Sequence, residues 1–88
     1  MINRDKVEQC ILEKVRTRGT EKTICPSEVA RELGGETWRD LMPIVREIGA
    51  ELSCQGKIVV LQKGQIVDPN QVKGPIRYRL SKPAQSLT

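Results

Sequence analysis

The residues whose type and spacing best suit chemistry lie late in the chain. Arg77 and Arg79 alternate about Tyr78, and Lys63 and Lys73 flank a stretch rich in Gly, Pro, Asn and Asp. Residues two apart on a strand share a face, so the two arginines point the same way, with the lysines at a loop beside them. Such an array suits the phosphate oxygens of a polyanion. Arg39 and Arg46, in an earlier helical stretch, could add contacts to guanine or phosphate. Each group also has a plainer use. Charges on an edge strand discourage edge-to-edge pairing, and Arg39 and Arg46 could serve as surface partners for Glu36, Asp40 or Glu47.

Charge is distributed unevenly along the 88 residues. The whole chain holds 15 Lys or Arg against 11 Asp or Glu and no His, a formal +4. From residue 57 onward, Lys57, Lys63, Lys73, Arg77, Arg79 and Lys82 face only Asp68, while the first 56 residues are slightly acidic. The segment 36–55 carries Arg39 and Arg46 against Glu36, Asp40, Glu47 and Glu51. A helix there would be a poor conventional reader of DNA, and the basic excess moves the expected contact surface toward the C-terminal third.

Other chemistries find little support. No His is available as base or ligand, no Gly-rich phosphate loop precedes a helix, and no Ser or Cys has a recognisable activating partner. The carboxylate pairs Glu28/Glu32 and Glu47/Glu51 are one helical turn apart and read as solvated faces. The chain is therefore not expected to be an enzyme. Cys10, Cys25 and Cys54 form no Cys-x-x-Cys pair, so they read as free thiols, and neither metal nor cofactor is expected. Cys25 could be a low-pKa thiol at a helix start, although a capping role is simpler. Trp38 reads as a partly buried anchor, because single-strand binders interleave several aromatics and this chain has two. The longest aliphatic run, Ile58 to Leu61, is far below the roughly 18 residues of a membrane span, and the first residues lack a signal-peptide core. A cytoplasmic protein without membrane contact is the expectation.

The elements that must position these residues follow from periodicity. Val7, Ile11 and Val15, with Cys10 and Leu12, mark an amphipathic helix over 4–18, capped by Asn3 or Asp5 and ended by Gly19. Residues 20–24 suit a brief strand. Cys25, Pro26 and Glu28 then fill the cap, first and third positions of a second helix that ends at Leu33. Leu41, Val45, Ile48 and Leu52 form the core stripe of a third helix over about 37–55. Pro43 must bend it or leave a separate short turn ahead of a helix starting near Pro43. Beyond Gly56 the period changes to two. Strands around Ile58–Gln62 and Ile76–Leu80 should pair antiparallel, with a long loop between them and a short extra strand at 65–67.

That order predicts an α+β winged helix-turn-helix, with three helices, a small antiparallel sheet and a wing hairpin. Residues 1–80 would form the domain and 81–88 a flexible tail. The turn Gly34-Gly35-Glu36 has suitable length and composition. The blocks ICPSEVAR (24–31), WRDLMPIVR (38–46) and the KG, VDP and GPIRYRL pieces from Lys63 to Leu80 resemble a family of small, mostly bacterial winged-helix proteins catalogued as a domain of unknown function. The resemblance spans about residues 5–80. It implies the fold, and no activity comes with it. Nucleic-acid binding, with duplex DNA foremost and transcriptional regulation as one use, is the leading expectation: Lys63, Lys73, Arg77 and Arg79 would hold phosphates, and Arg39 and Arg46 would read any bases. The alternative is a winged-helix module that binds a protein and not DNA.

Overall fold

A computed structural model describes residues 3–82. They form a mixed α+β fold in the order α1 (Arg4–Arg18), α2 (Pro26–Gly34), a 3-10 turn (Gly35–Thr37), α3 (Trp38–Cys54), β1 (Ile58–Gln62), β2 (Gln65–Ile66) and β3 (Arg77–Leu80). Among the described residues, no helix is long and apolar enough to cross a membrane. The expected tail lies outside the described residues from 83 onward.

Local signals account for the helix ends. Asn3 caps α1, its side chain accepting the Asp5 N–H at 2.8 Å, which settles the choice between Asn3 and Asp5. Gly19 ends the helix at φ 84°, a conformation glycine adopts without strain. At α2 the Cys25 N–H donates to Glu28 Oε2 at 2.8 Å, while the Glu28 N–H donates back to the Cys25 carbonyl. Partial burial alone would raise the Glu28 pKa; Arg18 and the Cys25 N–H outweigh it and hold the carboxyl below its ordinary range. Arg18 also donates to the Thr23 carbonyl, so it ties the end of α1 to the start of α2.

The helix α3 matches the expected 37–55 within one residue at each end and continues through Pro43, so the alternative start at that proline is not taken. The separate short turn lies at Gly35–Thr37 instead. Pro43 has no N–H to donate to the Arg39 carbonyl, so the helix runs through it without that bond. At the other end, the Gly56 and Lys57 N–H groups reach back to the Ser53 and Leu52 carbonyls, the paired closure that a left-handed glycine at φ 78° permits.

The sheet order is β2-β1-β3, all antiparallel. The expected β1–β3 pairing is present, and the extra strand joins the opposite edge of β1 through a two-residue turn. Lys63 and Gly64 both have positive φ, 53° and 81°, as a primed hairpin turn requires. The segment 67–76 then crosses to the far edge. A turn at Asp68–Gln71 starts this crossing, the Asp68 carboxylate accepting the Asn70 N–H at 2.9 Å. Register places Ile58, Val60, Tyr78 and Leu80 on one face and Val59, Leu61, Arg77 and Arg79 on the other.

The first face closes a core with Val7, Ile11 and Val15 of α1, Ile24, Val29 and Ala30, and Val45, Ile48 and Leu52 of α3. Tyr78 is its largest fully buried side chain. Its N–H and carbonyl exchange 2.8 Å bonds with Ile24, realising the short strand before α2 as a single bridge. Its ring lies directly on the α3 backbone at Gly49: an added Cβ there would meet the Tyr78 hydroxyl oxygen at 2.3 Å.

Two outcomes follow from that contact. Helix propensity alone predicts that Gly49→Ala stabilises the protein by about 1 kcal/mol, but the clash predicts a net loss of about 1–3 kcal/mol. A lower urea midpoint is the expected result, and a raised one would contradict the contact. Burial also pushes the Tyr78 hydroxyl from 10.0 up to about 12. The folded state favours the neutral phenol, so this contribution is complete below pH 10 and disappears as pH rises through about 12. Tyr78 is the only tyrosine, so tyrosinate absorbance reads it directly; ionisation near pH 10 in the folded protein would refute the burial.

Candidate functional site

The corner between α2 and α3 is closely packed. A Cβ at Gly34 would meet Leu41 Cδ1 at 2.8 Å, so a larger residue there would have to displace the end of the Leu41 side chain. Thr37 Oγ1 donates to the Gly34 carbonyl at 3.0 Å. Trp38 is half-buried against the core beside this contact, as its reading as an anchor requires. Two exposed arginines lie over its indole, Arg31 of α2 at 4.5 Å and Arg39 of α3 at 4.6 Å from the ring centroid. Each gains about 0.5–1 kcal/mol there. Arg31 was not singled out from sequence, because its proximity to Trp38 depends on how α2 meets α3.

The charges of α3 separate onto two flanks. Successive helical residues turn by about 100°, so Arg39 and Arg46, seven apart, share one flank, and Glu47 and Glu51 share another. Contacts agree with this division. Glu47 and Glu51 both pair with Arg4 of α1, while Arg46 donates to the Gly74 carbonyl in the 67–76 segment at 3.2 Å. Two of the four acids that made the segment 36–55 unpromising are therefore held on the side that faces α1. Among the described residues, neither Arg39 nor Arg46 makes an ion pair with Glu36, Asp40 or Glu47.

The C-terminal cations occupy three positions. Gln62 Nε2 donates to the carbonyls of Lys73 (2.6 Å) and Pro75 (3.3 Å), which holds the Lys73–Pro75 backbone against the end of β1. Lys73 is thus brought near Arg46 through Gly74. Lys63, at the tip of the β1–β2 turn, lines a depression of ≈ 220 Å³ together with Arg77, Leu61 and Cys25. The Arg77 Nε donates to Thr23 Oγ1 at 2.6 Å. Arg79 shares the strand face of Arg77 but is drawn inward, and its Nε is shut off from solvent with no hydrogen-bond partner among the described residues. None of Arg39, Arg46, Lys63, Lys73, Arg77 and Arg79 is in an ion pair among the described residues, whereas Arg4, Lys14, Arg18 and Lys82 are.

Residues 4–81 match the profile of a family described as Protein of unknown function (DUF3253). Comparison with curated proteins gives no match.

The thiols are dissimilar. Among the described residues no group of three or more His, Cys, Asp or Glu is placed to hold a metal ion. Cys25 serves as the α2 cap residue, and its sulfur accepts from Ser27 Oγ at 3.1 Å. Cys10 is buried and donates to Glu32 Oε2 at 3.3 Å. Burial first, and then the Glu32 carboxylate, push its thiol up to about 11. Cys54 is exposed. At pH 8 a thiol-specific reagent should modify Cys54 in the folded protein and Cys10 only after denaturation. Equal rates at both positions would contradict the packing around Cys10.

Proposed function

The chain belongs to the DUF3253 family, whose description names no activity, and we propose that it is a winged-helix protein that binds nucleic acid, duplex DNA foremost. The carrying observation is the division of α3: its acidic flank is occupied by Arg4, and its arginine flank runs toward Lys73. In this reading α2, the 3-10 turn and α3 act as the helix-turn-helix, and the β1–β2 hairpin with the 67–76 segment acts as the wing. Lys63, Lys73 and Arg77 contact phosphates, with Arg79 a lesser contributor because its Nε is enclosed. Arg39 and Arg46 stand where α3 would meet a groove. No residue is assigned catalysis: Glu28 and Glu32 are engaged by Arg18 and Lys14, and Glu47 and Glu51 by Arg4.

A protein-binding role is the second reading, and one observation favours it. Ile66 on the β2 edge is 56% exposed and, with the half-buried Val59, lines a depression of ≈ 470 Å³ that Ser53, Gln55 and Ser81 also border. Apolar exposure of that kind suits a protein surface better than a phosphate backbone.

Titration with random-sequence duplex DNA at two salt concentrations separates the readings. The nucleic-acid proposal predicts affinity that falls steeply with salt. Lys63→Ala combined with Lys73→Ala should reduce the slope of log Kobs against log salt by about 2. Binding to duplex DNA and RNA that is absent or indifferent to salt would overturn it.

A further inference from the structure

We infer that Arg31, Trp38 and Arg39 form a phosphate clamp at the corner between α2 and α3, separate from the contacts at Lys63, Lys73 and Arg77. Assigning its phosphate to a nucleic-acid backbone rests on the function proposed above.

The arrangement gathers positive charge that no ion pair neutralises among the described residues. Both guanidinium carbons lie within 4.6 Å of one ring centroid, so they are within two such distances of each other. The electron-rich indole attracts both cations, which offsets a repulsion that solvent and salt already weaken for exposed charges up to about 9 Å apart. Neither arginine makes an ion pair or a side-chain hydrogen bond among the described residues, although Glu32, Glu36 and Asp40 are close in sequence. Glu32 is occupied instead by Lys14 and Cys10. A cation held by a ring through its charge keeps its N–H groups for other acceptors, and two guanidinium groups supply planar donors suited to phosphate oxygens. Trp38 is itself positioned by the core and by the Gly34 contact, so the platform is set before any ligand arrives.

Position favours a backbone phosphate. Arg39 and Arg46 share a flank and are separated by about 10 Å along the axis, roughly the axial rise of three base-pair steps of a duplex. From Arg46 the path continues through Gly74 to Lys73. One strand could therefore meet the clamp and the 67–76 segment together.

Trp38 is the only tryptophan, so its fluorescence reports on the clamp directly. Titration of the full chain with inorganic tripolyphosphate at low salt should give a saturable change in emission. Arg31→Gln and Arg39→Gln should each weaken it about tenfold, and Arg31→Lys less, while unchanged thermal midpoints show that the fold is intact. In parallel, Arg31→Gln should lower the salt slope for random duplex DNA by about 1. No emission change in the wild-type protein overturns the clamp whether or not DNA binds. Duplex binding whose slope is indifferent to Arg31→Gln overturns the assignment of the clamped phosphate to the duplex backbone and leaves the proposed function standing. A tripolyphosphate response without duplex binding supports the clamp and refutes the nucleic-acid reading.

Discussion

The contact between Tyr78 and Gly49 is the constraint on which the arrangement of this small domain depends. With no phenylalanine in the chain, Tyr78 is the one large aromatic ring fully inside the core. It connects three parts at once: its backbone bonds the segment before α2 through Ile24, it sits opposite Val60 in the sheet, and its ring rests on α3. The hydroxyl lies 3.4 Å from the Val45 carbonyl, a long bond that contributes little beside the packing. Close approach, not the polar contact, does most of the fixing. A ring on bare helix backbone sets both the distance and the rotation of α3 relative to β3.

That rotation determines which charges meet solvent. Once Gly49 faces Tyr78, and Val45, Ile48 and Leu52 face the core, the remaining side chains of α3 have fixed directions. Glu47 and Glu51 turn toward Arg4, and Arg39 and Arg46 turn toward Trp38 and Gly74. Exposed ion pairs such as those of Arg4 add little stability. Their effect here is electrostatic: the single charge of Arg4 offsets about half of that of Glu47 and Glu51, while the arginine flank and the C-terminal cations carry the basic surface. The proposed nucleic-acid interface is therefore a consequence of core packing as much as of composition.

Much of this architecture was legible in the sequence because its signals are local. Helical periodicity marked α1 and the α3 stripe, Cys25-Pro26-Ser27-Glu28 marked the start of α2, and alternation marked β1 and β3. The span 37–55 expected for α3 is met within one residue at each end. Pro43 left a second start open, but packing of Trp38 and Leu41 against the core carries the helix across it despite the missing bond to Arg39. The hairpin was visible as strands with a long connection, yet the tight Lys63-Gly64 turn was hidden because lysine rarely takes positive φ. Of the candidate cations, the sequence could place Arg77 and Arg79 on one strand face. It could not reveal that Arg79 turns inward or that Arg31 joins Arg39 over Trp38, since both depend on contacts between distant segments.

The central claim is that a partner meets the arginine flank of α3 and not its acidic flank. Backbone amide chemical-shift mapping during titration with random duplex DNA tests it most directly. The account predicts shifts concentrated at Arg31, Arg39, Arg46, Lys63, Lys73–Gly74 and Arg77, with Arg4, Glu47 and Glu51 unmoved. Shifts centred on Arg4, Glu47 and Glu51, or on Ile66 and Val59, would contradict it.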